Sequence, residues 1–164
     1  MGKQIIIING TGGSGKDTFI EHVSKYAKIF NFSSVDKVKE IARIIGWDGK
    51  KTDKDRKFLS DLKRLTTEYN DMAFNSIKEA VDSFRKSDNE IMFIHIREPE
   101  EIKRVAYNFG AKTLLVKRMG LSNITSNYSD ASVDNYDYDF TVINTTLEEL
   151  DKKALQFVEK LMQQ

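Results

Sequence analysis

Ile5-Ile6-Ile7-Ile8-Asn9-Gly10-Thr11-Gly12-Gly13-Ser14-Gly15-Lys16-Asp17-Thr18 is the stretch that decides the fold. Gln4 to Asn9 is short, β-branched and apolar at successive positions, so side chains on both faces of a strand here are greasy. A strand of that kind belongs in a sheet covered on both sides. Glycines then occupy positions 10, 12, 13 and 15. Without Cβ groups, successive backbone N–H groups can turn inward toward one point. From Lys16 the pattern becomes helical, with Ile20, Val23 and Ala27 on one face, which predicts a helix over about 16–28. Its N-terminus adds partial positive charge where the N–H groups converge. Strand, glycine turn and helix together predict a cradle for phosphate oxygens, with Lys16 reaching the β- and γ-phosphates as a point charge.

The spacing matches the phosphate-loop pattern G-x-x-x-x-G-K-[ST] at Gly10, Gly15 and Lys16. The expected nucleotide-binding residues are Gly10, Gly12, Gly13, Ser14, Gly15, Lys16, Asp17 and Thr18. The eighth position departs from the pattern, because Asp17 stands where a Mg²⁺-binding hydroxyl is usual. Either Thr18 supplies that hydroxyl after a small shift, or Asp17 faces the hydrated metal itself. The expected cofactors are ATP and Mg²⁺.

The rest of the chain alternates short apolar runs with longer helical periods, the pattern of an α/β fold with a mostly parallel sheet. Strands are expected at 29–33, 90–96, 112–117 and 139–144. Helical spacing covers 35–46 through Val38, Ile41, Ala42 and Ile45. It continues over 53–84 as one or two charged helices. Pro99 suits a first helical turn and Gly110 the cap that ends that helix. Thr146 with Glu149 forms the capping-box pattern of a last helix carrying Leu150, Ala154, Phe157, Val158 and Leu161. The expectation is one domain over 1–164, a three-layer P-loop NTPase fold with a five-stranded parallel sheet flanked by helices.

Composition bounds the partners. Lys plus Arg is 26 and Asp plus Glu is 25, a formal charge of +1 that offers no electrostatic case for nucleic acid or an anionic membrane. Tyr128, Tyr136 and Tyr138 are too scattered for a base-stacking platform. Cysteine is absent, so disulfides and thiolate metal sites are excluded. The Ile5–Ile8 run is far too short for a membrane span. A cytoplasmic location is expected, with the chain a monomer or a homodimer and its partner a small phosphorylated molecule.

Ser14-Gly15-Lys16-Asp17 resembles the phosphate loop of phage-type deoxynucleoside monophosphate kinases and animal-type phosphomevalonate kinases, which also carry Asp after the Lys. His95-Ile96-Arg97-Glu98-Pro99-Glu100-Glu101 is similar to the D-x-R-x-x-x-E segment after their third strand. Ser34 to Ile41 resembles their acceptor-side helix, and Tyr138 to Asn144 with Thr146 to Leu150 their final strand, turn and helix. The resemblance implies transfer of the γ-phosphoryl of ATP onto a small phosphorylated acceptor, a nucleoside or deoxynucleoside monophosphate foremost. It also implies an acceptor-binding helical region around 34–85 and a lid around 119–136.

Phosphoryl transfer is mostly positioning and charge neutralisation, which calls for Lys and Arg around the transferred group. Lys16, Arg97 and Arg118 are the expected catalytic cations; the alternative for Arg97 is a surface pair with Glu101. Lys39 and Arg56 are candidates for the acceptor phosphate, and Asp36 for its sugar or base. Trp47, beside Gly46, reads either as a stacking surface or as packing of a helix end. Two features depart from the family pattern. His95 replaces an Asp and reads either as a proton acceptor or as a packed strand-end His. Residues 119 to 136 contain no Lys or Arg. These departures keep open a nucleotide-binding or regulatory protein without transferase activity, and a non-nucleotide acceptor such as phosphomevalonate is the third reading.

Overall fold

A computed structural model describes residues 2–120 and 133–164 of the chain. Five strands form one sheet: β1 (Gln4–Asn9), β2 (Ile29–Ser33), β3 (Ile91–His95), β4 (Lys112–Arg118) and β5 (Phe140–Asn144). Their order across the sheet is β2-β3-β1-β4-β5, and every neighbouring pair is parallel. Six helices are described: α1 (Lys16–Val23), α2 (Asp36–Ile45), α3 (Asp53–Asn70), α4 (Met72–Lys86), α5 (Pro99–Phe109) and α6 (Leu147–Met162).

The isoleucines of β1 divide between the two faces of the sheet, as period-two alternation demands. Ile6 and Ile8 pack with Phe19, Val23, Leu150 and Phe157 of α1 and α6. Ile5 and Ile7 pack with Ile77, Val81 and Phe84 of α4 and Ile102 and Val105 of α5. Phe157 gathers the first layer by meeting Phe19, Phe93 and Phe140 edge-on or stacked at 5.3 to 6.4 Å. Helices on both faces of a parallel sheet make the three-layer α/β fold that the alternation predicts.

Local differences from the sequence reading have physical causes. The first helix ends at Val23 rather than near Lys28. The chain must turn there to enter β2, and Glu90 fixes that turn by accepting from the Lys28 N–H and donating its own N–H to Lys28 O. The 53–84 region is two helices, divided at Asp71 with φ 56. Thr52 and Asp55 form a full capping box at the start of α3. At α6 the structure gives one half of the expected box, Thr146 Oγ1 accepting from the Glu149 N–H. No helix among the described residues is long and apolar enough to cross a membrane.

The sheet order places the site. Connections leave β1 toward β2 on one side and reach β4 and β5 on the other. A crevice opens at such a reversal, beyond the carboxyl ends of the strands. Asn9, Ser33, His95, Arg118 and Asn144 all stand at those ends.

Candidate functional site

The loop between β1 and α1 has the form the sequence calls for, and neighbours enforce it. A Cβ on Gly10 would lie 2.5 Å from Ser14 Oγ and 2.6 Å from the Val116 carbonyl. Gly13 and Gly15 hold φ 77 and φ 93, a region that disfavours side chains. A Cβ on Gly15 would also strike the Asn144 amide. That amide donates to Ser14 O at 3.1 Å, tying the loop to the end of β5. Gly12 has open space around it, so the loop's outer side stays clear. Ser14 N–H bonds back to Thr11 O at 3.1 Å, and α1 begins with Phe19 N–H on Gly15 O.

Asn9 is the second tie. Buried at the end of β1, it accepts the Gly10 N–H at 2.9 Å and donates to Arg97 O at 3.2 Å. It also donates to the Tyr138 hydroxyl at 2.9 Å, which in turn donates to Val133 O at 2.6 Å. Burial pushes the Tyr138 hydroxyl up to about 12, so it stays a donor throughout the ordinary pH range. One amide thus joins the cradle, the segment holding Arg97 and the approach to β5.

A cleft of about 1080 Å³ runs from this loop along the α2 and α3 side. Thr11, Gly12, Lys16 and Asp17 line its cradle end. Arg97, His95, Asp36, Lys39 and Arg56 line it further on, together with Lys51, Lys57 and Lys63. The sequence candidates Lys16, Asp17, Asp36, Lys39, Arg56 and Arg97 therefore share one cavity. Arg118 stands elsewhere, at the end of β4 opposite Asn144 of β5, and does not line the cleft. Asp36 also closes its own turn by accepting the Ser33 N–H at 3.1 Å. Of the lid region, Met119, Gly120 and 133–136 are described, and residues 121 to 132 lie outside the described residues. At its far end Val133 is buried and Asp134 pairs with Lys117 at 3.1 Å.

His95 occupies the end of β3 between Ser33 and Ile8 in register. Its Nε2 lies 2.7 Å from Asn31 Oδ1. An amide oxygen only accepts, so Nε2 carries the proton and Nδ1 the lone pair. Burial, then the Lys16 charge, brings the imidazole down to about 4, against the pull of Asp17 and Asp36. At neutral pH His95 is thus an uncharged acceptor, where a carboxylate would partly cancel Lys16 and Arg97.

Glu101, one turn beyond Arg97, meets Lys63 at 2.9 Å, and Glu98 meets the same ammonium at 3.0 Å. Burial opposes the Lys63 charge, but the two carboxylates outweigh it and raise its pKa. Burial likewise raises Glu101 despite the lysine. Lys63 is thereby committed to the Glu98–Glu101 pair, and Lys57 to Asp61 at 2.6 Å.

Asn9, Asn144, Asn31 and the Lys63 cluster escaped the sequence reading. Asn9 and Asn144 left a signal, since each is a lone amide ending a largely apolar strand beside the glycine loop or its expected neighbour. Asn31 and Lys63 left none, because their partners lie 64 and 35 to 38 residues away.

Asp17 and Thr18 present oxygens at the first turn of α1, the hard donors that suit Mg²⁺. Among the described residues no group of three or more His, Asp or Glu forms a metal cage. Asp17 lines the cleft and Thr18 does not, and a single carboxylate or hydroxyl fits a Mg²⁺ otherwise held by phosphate oxygens and water.

Comparison with solved structures agrees with this architecture. TT1252 from Thermus thermophilus aligns at TM-score 0.59 and 18% identity over 98% of each chain. A candidate kinase from Chloroflexus aurantiacus j-10-fl aligns at TM-score 0.53 and 14% identity, over 98% of this chain and 96% of that one. Shikimate kinase from Aquifex aeolicus vf5 aligns at TM-score 0.49 and 12% identity, over 95% and 96%. The first two likenesses, spanning nearly whole chains, establish the α/β fold. No protein-family model matches the chain, and no curated protein sequence does.

Proposed function

We propose that the chain is an ATP-dependent phosphotransferase that moves the γ-phosphoryl to a small phosphorylated acceptor of the nucleoside or deoxynucleoside monophosphate class. One observation carries this reading: a single cleft joins the glycine cradle and Lys16 to Arg97, Lys39 and Arg56. A donor phosphate chain and an acceptor phosphate placed at those two stations would meet between Lys16 and Arg97. The kinase-type neighbour of TM-score 0.53 supports the reaction type.

In this reading the loop N–H groups and Lys16 hold the triphosphate, and Lys16 follows charge as it moves to the bridging oxygen. Asp17 or Thr18 would hold Mg²⁺, directly or through water, and the ion would supply charge neutralisation to the phosphates. Arg97, its backbone fixed through Asn9, neutralises the phosphoryl group and the acceptor phosphate. His95 stays neutral and leaves that positive field intact. A phosphate acceptor is already an anion near neutral pH, so no side chain need remove a proton from it.

The test is ATP consumption against a panel of nucleoside monophosphates and other small phosphomonoesters, with Lys16→Ala as control. Turnover with a nucleotide acceptor that vanishes in Lys16→Ala is the expected result. Tight ATP binding without turnover on any acceptor would overturn the reading in favour of a regulatory nucleotide-binding protein.

A further inference from the structure

The acceptor end of the cleft contains an aromatic surface whose use phosphate chemistry does not explain. Phe32, Val38 and Leu59 give this region an apolar lining, and Trp47 lines it as well. Trp47 follows α2, whose ten residues span about 15 Å, so it stands well removed from Asp36.

The indole is held in place from several sides. Its Nε1 donates to Lys50 O at 2.9 Å. Its backbone N–H closes the helix end on Ala42 O at 2.9 Å, and Gly46, with φ 118, makes the turn that allows it. The Arg43 guanidinium lies 5.1 Å from the ring centroid. The ring's own polar group is thus satisfied within its turn and Arg43, which does not line the cleft, covers one face, so what the indole has left to offer the cleft is preorganised apolar surface. Beside it, Lys51 and Asp53 line the same cavity and offer a hydrogen-bond donor and an acceptor. A fixed indole with polar groups near its edge suits a ligand that is flat, apolar on its faces and polar at its rim.

We infer that Trp47 is a specificity-determining residue that stacks on a planar heteroaromatic ring of the acceptor. The acceptor then bears its phosphate toward Arg97 and Arg56 and a nucleobase-like ring against Trp47. This rests on the phosphotransferase reading for the acceptor's role, and it separates a nucleotide acceptor from a ring-free phosphomonoester. A saturated chain or a sugar phosphate would forgo the stacking term, which changes affinity by roughly five- to a hundredfold per base.

Trp47 is the only tryptophan in the chain, so its emission reports on this contact alone. The full chain, its cradle filled with ADP and Mg²⁺, is titrated with thymidine monophosphate and guanosine monophosphate. Ribose 5-phosphate and a saturated alkyl phosphate are titrated in parallel. Saturable quenching by at least one nucleotide, and none by the ring-free phosphates, is expected. In turnover, Trp47→Leu should raise the KM for that nucleotide tenfold or more, while Trp47→Phe stays within about threefold and the KM for MgATP is unchanged in both. Melting curves of both variants show whether they fold, and the wild-type titration decides the matter if either does not. Equal quenching by the ring-free phosphates, no quenching by either nucleotide, or an unchanged KM in folded Trp47→Leu would each overturn the inference. Turnover of a ring-free acceptor without nucleotide quenching would overturn it and leave the kinase reading standing. Failure of MgATP to bind wild type would end the kinase reading, and the ring contact would still be decided by the quenching.

Discussion

Lys16 and Lys39 line one cleft, but very different amounts of structure stand behind them. Behind Lys16 lie β1, buried almost throughout, and the buried Phe19, Ile20 and Val23 of α1. Asn9 at the end of β1 and Asn144 at the end of β5 then brace the loop. Lys39 belongs to α2, which buries Val38 and Ala42 alone, and the facing α3 buries no residue at all. On the proposed reading, handling the donor is therefore a property of the core, whereas recognising the acceptor is a property of helices laid over it. Loss of a brace on the first side should damage both chemistry and fold, loss of Lys16 itself chemistry alone, and loss on the second side should change affinity and little else.

The largest effect that would break this contrast concerns Lys16. Lys16→Ala should lower turnover on the order of a hundred- to a thousandfold, the scale for removing one preorganised charge-stabilising group. Its melting temperature should stay near wild type, because the ammonium lies at the cleft and not in the core. A fall of similar size for Lys39→Ala would erase the distinction between the two walls.

Next comes acid. His95 titrates near 4 in the folded chain, below its ordinary 6.5, so the unfolded chain binds more protons between those values. Its contribution to stability is complete above pH 6.5 and is lost as pH falls toward 4. That depression corresponds to on the order of 3 kcal/mol. Urea titrations at pH 7, 5.5 and 4 should show that decline, and His95→Gln should remove part of the slope. An identical slope in the variant would show that other groups cause it.

Gly15→Ala tests the bracing. The positive φ and the collision with Asn144 should together cost roughly 1 to 3 kcal/mol. Adding Asn144→Ala should recover the collision and leave the backbone strain, a coupling that thermal melts of the two single variants and the pair would reveal. Additive losses would mean that the loop and β5 are independent.

The smallest effect belongs to the acceptor wall. Lys39→Ala and Arg56→Ala should each raise the acceptor KM about three- to tenfold, the scale of one ordinary hydrogen bond made at a partly solvated position. Neither should change stability by more than about 0.5 kcal/mol, the usual limit for positions outside the core.

The same contrast governs how much of the molecule is legible in its sequence. The cradle was legible because it is local: strand, glycines, Lys16 and helix succeed one another within fifteen residues, and each obeys a rule of its own. The five strands and the helical periods were legible because burial on one or both faces leaves a period in the chain. His95 was visible as a departure, but its neutrality depends on Asn31 and Lys16 arriving from other elements. The braces at Asn9 and Asn144 are pairings across the sheet, which no periodicity records. Arg118 looked equivalent to Arg97, each standing at a strand end. Both strands flank β1, and only Arg97 lines the cleft.

α3 is half-exposed along its whole length and contributes no side chain to either core layer. Almost any polar residue at Arg56, Lys57 or Ser60 would therefore leave the protein able to fold. A chain built in this way can change what its α3 wall accepts without disturbing its glycine cradle. Its descendants would be expected to diverge fastest along α3 while the turn after β1 stands still, and a laboratory library seeking new acceptors should be concentrated there.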